Sequence, residues 1–567
     1  MNRRVVGLLL VVLTAGALIG VARDLPAEAA RQARGASLPV TPAAEVPVCS
    51  GPETLTVPDG ATPVTVPGTV AVAGVAALPS VLPQQVFADD AQARSARRAP
   101  AAPAASLDQL AARPDTTAAG TGGATASGPA VRVLQSTVGQ PGAWRLDVRH
   151  VADVPVVAAA QWTLATSGDL RGLATTTCAP AATDSWLLGG TTLAGTRLRL
   201  LLANPGVSPS VVDVTLLGPQ GAVQVPAGTG VTVPAGGQKA LYLDALAADL
   251  PALAVHVVAR TGRVASTLHV SVLRGVVPGG TDDVPAAAAP ARRQVIPGLA
   301  VMVPAAGAQS GDLPSRPTAP GAVAVRVADP GGTEAVVRVH LLGPVGEVNL
   351  PTGGVATVPA RAVVDIPVTG VHDGVYAAVV EADTPVVAAA LVGRAVPGSA
   401  AAGTPASAGS VPPAELAWTA AARPLQATTA IAVPVPGALV TPGPGGHPVA
   451  APAVTARLAL APLSGAGGRV ALAEVAADGT VGAARTVDVP AGHSVTVPLT
   501  AGSAGVLLRA DPGRGDVAAA VVLTATDSSG GLVSVEAVRP GSRNSGDAPV
   551  VVQDLRIGLA TVGPRSR

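Results

Sequence analysis

The sequence predicts an all-β protein made of tandem immunoglobulin-like or fibronectin-like sandwiches that follow an N-terminal hydrophobic helix. Three observations support this prediction: short runs of Val and Leu bounded by Gly, Pro and Asp, an internal repeat, and a length of 567 residues, which is too great for one hydrophobic core. Apolar residues make up 48% of the chain and aromatic residues only 1%. The predicted cores therefore consist mostly of Ala, Val and Leu.

The N-terminal segment has the features of a signal peptide or a membrane anchor. Two arginines precede an uncharged apolar stretch at residues 5–22, close to the length that spans a bilayer. Ala27 and Ala29 have the small-x-small form of a cleavage site, whereas the length of the apolar run favours an uncleaved anchor, so both alternatives stay open. We expect an extracytoplasmic protein, either secreted or anchored to the plasma membrane by residues 5–22.

The internal repeat gives the chain its predicted division. Asn204-Pro205 recurs as Asp329-Pro330, 125 residues further on, and the run Leu-Leu-Gly-Pro at 216–219 recurs at the same separation. Pairs of prolines eight or nine residues apart mark four copies: Pro58 and Pro67, Pro226 and Pro234, Pro351 and Pro359, Pro490 and Pro498. We expect these prolines at strand ends or sheet edges, because proline cannot donate to a central ladder.

Each copy holds short alternating runs separated by turn residues, and about six or seven such strands are typical of a sandwich. A propeller-like arrangement of the repeats is the alternative, although the repeat is longer than a four-stranded blade requires. The predicted division is a signal or anchor at 1–30, a first β unit at 45–170 with a disordered insert at 88–128, a second sandwich at 184–275, a third at 294–396, a fourth at 414–540, and a C-terminal strand and tail at 541–567.

Stretches rich in Ala, Pro, Gly, Ser and Thr are predicted to be mobile linkers, because they cannot bury enough apolar area to offset the entropy of ordering. Asp282 and Asp283, which lie in one of them, are interpreted as a solvated pair. The predicted linkers are 88–128, 279–293, 397–413 and 441–452.

Cys49 and Cys178 are the only cysteines. Outside the cytoplasm such a pair predicts a disulfide, worth roughly 4 to 5 kcal/mol in the chain-entropy model. Neither cysteine has another Cys or a His at metal-ligand spacing, so we expect no metal site.

A search for catalytic and cofactor motifs finds none. The seven histidines are dispersed, and His340 is expected on the solvent face of a strand because it alternates with apolar neighbours. Asp153, Asp383 and Asp516 recur at equivalent positions, which suggests either calcium ligands or turn residues, and the absence of further nearby acids favours turns. With 37 basic and 36 acidic residues, the chain has no net field that attracts nucleic acid.

The four tryptophans, Trp144, Trp162, Trp186 and Trp418, have two interpretations. Exposed indoles stack on sugar rings and would form a glycan contact, whereas about one tryptophan per unit is typical of a core aromatic. We favour the core.

Several ordered pieces resemble an actinobacterial family of secreted or membrane-anchored proteins that is known as a domain of unknown function. The pieces are CSGPE at Cys49, TTTCAP around Cys178, SWLLGG at 185–190, LANPG at 202–206 and both LLGP runs. The resemblance covers nearly the whole chain, implies no catalytic residues and implies a cell-envelope glycan context. This sequence has CSGP where CPGP is commoner in the family, which concerns the local turn.

Three hypotheses for the function follow. The first is a non-enzymatic cell-envelope module that binds or scaffolds a protein or glycan partner. The second is a glycan-binding accessory to a glycosyltransferase, or a divergent carbohydrate-active enzyme. The third is a spacer in which the linkers set the reach of rigid domains from the membrane.

Overall fold

The protein was analysed as a computed structural model. It describes residues 38–39, 47–52, 54–55, 64–65, 69–77, 104–109, 131–137, 142–149, 156–302, 316–395, 414–425, 429–433, 440–442, 448–450, 452–527, 529–538 and 550–551. The structure is 63% strand and 2% helix, in multiple sheets, which confirms the predicted all-β class. The predicted signal or anchor at 1–30 and the linker at 397–413 lie outside the described residues. Within the described part of the chain, no helix has the length and apolarity that crossing a bilayer requires.

The first sandwich has an outer sheet of order β11-β2-β8-β6 and an inner sheet of order β10-β9-β5-β7. The first strands of the chain are β1 (Leu38–Pro39), β2 (Pro47–Cys49), β3 (Thr54–Leu55), β4 (Val64–Thr65), β5 (Thr69–Ala77), β6 (Ala104–Gln109), β7 (Val131–Thr137), β8 (Trp144–Arg149), β9 (Val156–Ala165), β10 (Gly172–Thr177) and β11 (Ala179–Pro180). β3 pairs with β4 in a sheet of their own.

The second sandwich has an outer sheet of order β12-β18-β14-β15, with β16 also on β14, and an inner sheet of order β17-β13-β19-β20. Its strands are β12 (Asp184–Leu188), β13 (Thr196–Ala203), β14 (Ser210–Gly218), β15 (Gly221–Val223), β16 (Val231–Val233), β17 (Gln238–Tyr242), β18 (Ala254–Thr261), β19 (Ala265–Arg274) and β20 (Val277–Pro285). A 3-10 turn at Pro226–Gly228 and a one-turn helix, α1 (Leu243–Leu246), connect strands of this unit.

In the third sandwich one long strand, β27, passes from the outer sheet into the inner sheet. Its first half pairs with β21 and β23, and its second half with β22 and β28. The strands are β21 (Ala291–Val301), β22 (Val323–Ala328), β23 (Ala335–Gly343), β24 (Gly346–Asn349), β25 (Val355–Val358), β26 (Val363–Pro367), β27 (Gly374–Ala395) and β28 (Ala414–Ala420).

The fourth sandwich has an outer sheet of order β29-β36-β33-β34 and an inner sheet of order β35-β32-β37-β38. The strands are β29 (Thr429–Ala432), β30 (Val440–Pro442), β31 (Pro448–Ala450), β32 (Thr455–Pro462), β33 (Gly468–Ala476), β34 (Arg485–Val489), β35 (Val495–Pro498), β36 (Ser503–Ala510), β37 (Val517–Asp527) and β38 (Gly530–Ala537). β30 and β31 pair only with each other, and β39 (Val550–Val551) pairs with β1.

All four units share one connectivity, as the repeat predicts. The strands β10, β20, β28 and β38 are each the last strand in the inner sheet of their unit, here called the last strands. Each is the edge of a four-stranded inner sheet whose order is the same in every unit. Equivalent residues also make equivalent turns: the Asn204 side chain accepts a hydrogen bond from the Gly206 N–H, and Asp329 does the same for Gly331. Because the units are two-sheet sandwiches and not single blades, the propeller alternative is not supported.

The four last strands meet at the centre of residues 44–542, which form one compact unit. β10 packs against β20 and β38, and β28 also packs against both, so the sandwiches close into a ring around these strands. Thr175 contacts Ser534 and Thr177 contacts Glu536, each pair 359 residues apart. β10 and β38 therefore run side by side in the same direction.

This packing buries both faces of the inner sheets near the centre of the ring, whereas β17 and β35 at the far edges are mostly half-buried or exposed. Every residue of β10 and of β22 is buried, whereas β24, on the outer sheet of the third sandwich, alternates between half-buried and exposed. The hydrophobic cores are continuous between units, since Trp162 of the first sandwich and Leu458 of the fourth belong to one cluster. An extended string of independently mobile domains, which the spacer hypothesis requires, disagrees with this arrangement.

Four sequence-based expectations about exposure and order are wrong. The predicted linker at 441–452 contains β31, which pairs with β30. The predicted linker at 279–293 contains most of β20, in which Asp282 and Asp283 are 0% and 2% exposed. The predicted disordered insert at 88–128 contains β6, which pairs with β8. His340 is 6% exposed, because the outer sheet is covered where Arg293 reaches the carbonyl of Leu463 in the fourth sandwich; this burial lowers the pKa of His340.

Candidate functional site

The ring of last strands encloses a set of buried polar side chains, here called the central cluster and defined as Gln161, Asp282, Asp283, Glu415 and Glu536. All five are at most 3% exposed. Three of the four acids stand on β20 and β28, and the fourth on β38. In an isolated sandwich these residues would lie on the exposed face or at the edge of the inner sheet. In this chain the neighbouring sandwiches cover them.

Asp283 and Gln161 form a hydrogen-bonded chain between the first two sandwiches. Asp283 Oδ1 lies 2.7 Å from His269 Nδ1 on the neighbouring strand, and Gln161 Nε2 donates to Asp283 Oδ2 at 3.3 Å. Gln161 also donates to the carbonyl of Gly51 and accepts from its N–H, at 3.0 and 2.7 Å. A buried amide that is satisfied in this way fixes the orientation of two units relative to each other.

Asp282 and Glu415 sit deeper at the contact between the second and third sandwiches. The backbone N–H of Trp418 donates to Asp282 Oδ2 at 2.5 Å. Burial raises the pKa of both carboxyl groups well above the usual range, and in Glu415 the nearby Arg171 charge only partly opposes this effect. Burial therefore disfavours the charged form of both groups.

The contact between the first and fourth sandwiches closes the ring. Arg171 makes a bidentate ion pair with Asp527, at 2.8 and 2.9 Å, and both side chains are buried. Two residues of β10 continue the contact, because Thr175 and Ser534 hydroxyls lie 2.6 Å apart and Thr177 Oγ1 lies 3.0 Å from Glu536. Thr177 is followed directly by Cys178, whose disulfide to Cys49 ties this end of β10 to β2.

Glu536 is expected to make the stability of the ring depend on pH. Burial raises its pKa from 4.5 to about 8, so the folded chain keeps a proton that the unfolded chain releases. Stability is therefore fully present below pH 4.5 and is lost as the pH rises to about 8. We expect Glu536→Gln, which copies the protonated carboxyl, to add a few kcal/mol at pH 8.5 and nothing at pH 4.

Urea titrations of the full chain at both pH values measure this effect. Glu474→Gln is the matched control, because hydrogen bonds to Ser503 and Thr500 lower the pKa of Glu474, so this substitution should not stabilise the chain at pH 8.5. Equal midpoints for Glu536→Gln and the unmodified chain at both pH values would contradict the assignment of a buried neutral acid.

A cleft of about 370 Å³ opens where the second and third sandwiches meet. Its walls come from the connection between β12 and β13, the hairpin between β19 and β20, residues 317–322, and the facing parts of β27 and β28. Most wall residues are Gly, Ala, Pro, Val, Leu and Thr, and the two basic residues are Arg274 and Arg326. Small predominantly apolar cavities of this size with few polar groups are typical of ligand sites.

The two arginines of the cleft differ in their partners. Arg326 forms a bidentate ion pair with Asp365 at 2.7 and 2.8 Å, donates to the carbonyl of Gly190 at 2.6 Å, and lies 4.6 Å above the ring of Trp418. Arg274 is half-buried, and its Nη1 is enclosed without a hydrogen bond to any described atom. Burial lowers the pKa of Arg274.

Most of the residues that the sequence predicted to have a structural or binding role are buried in the hydrophobic cores. The disulfide between Cys49 and Cys178 is present, which confirms that prediction. Trp162, Trp418 and Trp186 are 0%, 3% and 8% exposed, and Trp144 is half-buried beside the disulfide. Their burial favours the core interpretation over stacking on sugars.

Some residues of recurrent or aromatic motifs have local roles. Trp186 stacks on His256 with ring centroids 3.9 Å apart, and His256 Nε2 lies 2.9 Å from Asp184. The prediction that Asp383 is a turn residue is wrong, because Asp383 lies within β27 and accepts a hydrogen bond from the N–H of Val336 on the neighbouring strand β23. Asp153 lies outside the described residues. Among the residues that are described, no group of three or more His, Cys, Asp or Glu side chains is placed to hold a metal ion.

Sequence reasoning missed the central cluster, Arg326 and Arg274. One signal was available: Asp283, Glu415 and Glu536 each lie, near the end of a repeat unit, in a strand whose other residues are uncharged or, in β20, include one more acid. A charged residue in a strand is normally read as solvent-facing, and only the neighbouring sandwiches reverse that interpretation.

Comparisons with known proteins identify a family but no activity. The family model described as "Family of unknown function (DUF5719)" matches residues 123–500. No curated protein matches the chain significantly. Among solved structures, an alpha-L-rhamnosidase of Streptomyces avermitilis complexed with L-rhamnose is 11% identical, with 70% of this chain and 51% of that chain covered and a TM-score of 0.11.

A GH78 family rhamnosidase of Bacillus sp. GL1 is 10% identical, with 66% of this chain and 56% of that chain covered and a TM-score of 0.10. The chain thus spans about half the length of both rhamnosidases. Similarity at this level carries no argument about fold or activity.

Proposed function

The chain belongs to the DUF5719 family of unknown function, and from that premise we propose that it is a non-enzymatic, extracytoplasmic cell-envelope protein that binds or scaffolds a protein or glycan partner. The single observation that carries this proposal is the position of four buried acidic residues. Asp282, Asp283, Glu415 and Glu536 lie between sandwiches, where they hold the ring together and are closed to a polymeric substrate.

The pair of His269 and Asp283 illustrates the point. A histidine oriented by a carboxylate is the base of many hydrolases, but such a base acts only where a substrate reaches it. His269 is 6% exposed and Asp283 is 2% exposed, and Asp283 is also bound to Gln161. The pair therefore supports a structural role, and the four-sandwich ring supports a rigid scaffold.

The disulfide supports an extracytoplasmic location, because such bonds persist in oxidising compartments and are rare in the cytosol. In this proposal, residues 5–22 either anchor the chain in the plasma membrane or are removed with the signal peptide. Rapid alkylation of intact cells, followed by mass spectrometry, tests the location: the chain should contain no free thiol. A chain recovered with both cysteines alkylated would contradict it.

Retention without turnover is the expected biochemical result. The full chain is incubated with cell-wall glycans and envelope extracts, and both bound material and released products are analysed. We expect retention of a partner and no product. Hydrolysis or transfer that is abolished by Asp283→Asn or Glu415→Gln, but not by the control substitution of the exposed Asp488→Asn, would overturn the proposal in favour of a carbohydrate-active enzyme.

A further inference from the structure

The cleft between the second and third sandwiches contains one basic group whose charge is not neutralised by the described residues. Arg274 ends β19 and lines the cleft. Its Nη1 is enclosed and has no hydrogen bond to a described atom, and no described carboxylate forms an ion pair with it. An enclosed guanidinium nitrogen without an acceptor is costly, since a buried polar group normally has a partner.

The other charged residues of the cleft wall are already neutralised. Arg326 is paired with Asp365 and with the carbonyls of Gly190 and Leu253. Glu415 is 1% exposed, and burial raises its pKa well above the usual range, which disfavours its charged form. Arg274 is therefore the guanidinium of the wall that has no carboxylate partner among the described residues, and it complements one negative charge and not two.

Apart from three threonines, two of which hydrogen-bond to each other, the rest of the wall has apolar side chains. Leu193, Val272, Pro317, Leu391 and Leu416 line it together with several glycines. The face of Trp418 is not available for stacking on a planar ligand, because the Arg326 guanidinium lies above that ring. A ligand that fits has a compact aliphatic body and a single planar anionic group at one end.

We propose that this cleft binds a monocarboxylate with a small aliphatic body, and that Arg274 recognises its carboxylate. Guanidinium and carboxylate groups match in geometry and form strong, charge-assisted hydrogen bonds. The same chemistry occurs in a free aliphatic acid and in the C-terminal carboxylate of a peptide. The inference adds a site to the proposed function and does not depend on it, because retention of an envelope partner and binding in this cleft are separate measurements.

Calorimetric titration of the full chain with matched probes tests the proposal. Cyclohexanecarboxylate and its neutral amide represent a free acid, and the tripeptide Ala-Val-Leu and its C-terminal amide represent a chain end. We expect the charged member of one pair to bind at least tenfold more tightly than its amide. The pair that shows this difference identifies the source of the carboxylate.

Three variants locate the binding. Arg274→Gln should weaken the charged probe at least tenfold and leave the amide unchanged. Ala194→Trp keeps the charge but fills the mouth of the cleft, where Ala194 is exposed, and should abolish binding. Arg263→Gln removes an exposed charge at the other end of the same strand and should have no effect.

Equal binding of acid and amide, or full binding by Arg274→Gln or Ala194→Trp, would overturn the inference. Failure of both charged probes to bind the unmodified chain would overturn it as well, and would mean that the chain itself neutralises Arg274. Circular dichroism of each variant confirms that a loss of binding does not arise from unfolding. None of these outcomes affects whether the protein retains an envelope partner without turnover.

Discussion

Replacement of Arg326 by Met is expected to lower the free energy of unfolding by about 3 to 5 kcal/mol, which is the cost of leaving one partner of a buried ion pair alone. Methionine keeps the length and apolar volume of the side chain but removes the guanidinium. Asp365 then loses its bidentate partner, and the carbonyls of Gly190, Leu253 and Pro251 lose a donor. Urea titration of the full chain measures the loss.

Two further variants separate the ion pair from other causes. Arg469→Met breaks an exposed pair with Asp488, and such pairs contribute about 0 to 1 kcal/mol. In the second sandwich, Leu201 and Ala240 occupy the equivalent paired positions, 125 residues earlier. The double variant Arg326→Leu with Asp365→Ala copies that pair and should recover much of the lost stability. If the single and double variants are equally unstable, the ion pair is not the cause.

Removal of the disulfide is expected to have an effect of similar size. The bond joins residues 129 apart in the chain, and closing a loop of that length stabilises a fold by about 5 kcal/mol in the chain-entropy model. Reduction of the unmodified chain and the double substitution Cys49→Ala with Cys178→Ala should lower the urea midpoint to the same extent. The double variant should not respond further to reductant, since the chain has no other cysteine.

The position of the bond adds a local consequence. Cys178 follows Thr177, which contacts Glu536 and the carbonyl of Ala537 in the fourth sandwich. Without the bond, hydrogen exchange should accelerate in β10 and β38 more than in β13 and β19, because the end of β10 then loses its covalent link to β2. Uniform acceleration, or none, would show that the bond does not support the closure of the ring.

The sequence predicted those features that follow from local periodicity and repetition. Alternating valine runs determine strands, and prolines end them: Pro234 and Pro359 directly follow β16 and β25. A constant separation of 125 residues required equivalent units, and the equivalent turns at Asn204 and Asp329 confirm it. The pairing of the cysteines followed from their number and from the expected extracytoplasmic location.

The errors about which strand residues are exposed share one physical cause. Successive residues of a strand point to opposite faces of the sheet, so the alternation of polar and apolar residues assigns every second residue to solvent. This assignment holds only where one face of the sheet is open to solvent. The outer sheets meet that condition in part, but the strands of the inner sheets nearest the centre of the ring are covered on both faces. Asp282, Asp283 and Arg326 were therefore not recognisable as buried groups, because each has a partner more than a hundred positions away: Trp418, Gln161 and Gly190, respectively.

The sequence by itself thus determined the strand content, the repeated unit and the disulfide, all of which depend on neighbouring or matching residues. Only the tertiary structure decided that the four units close around their last strands, which acids lose their charge, and that a cleft forms beside Arg274. These properties depend on the burial of particular side chains. The segments that bury them are distant in the sequence, so no local pattern predicts their burial.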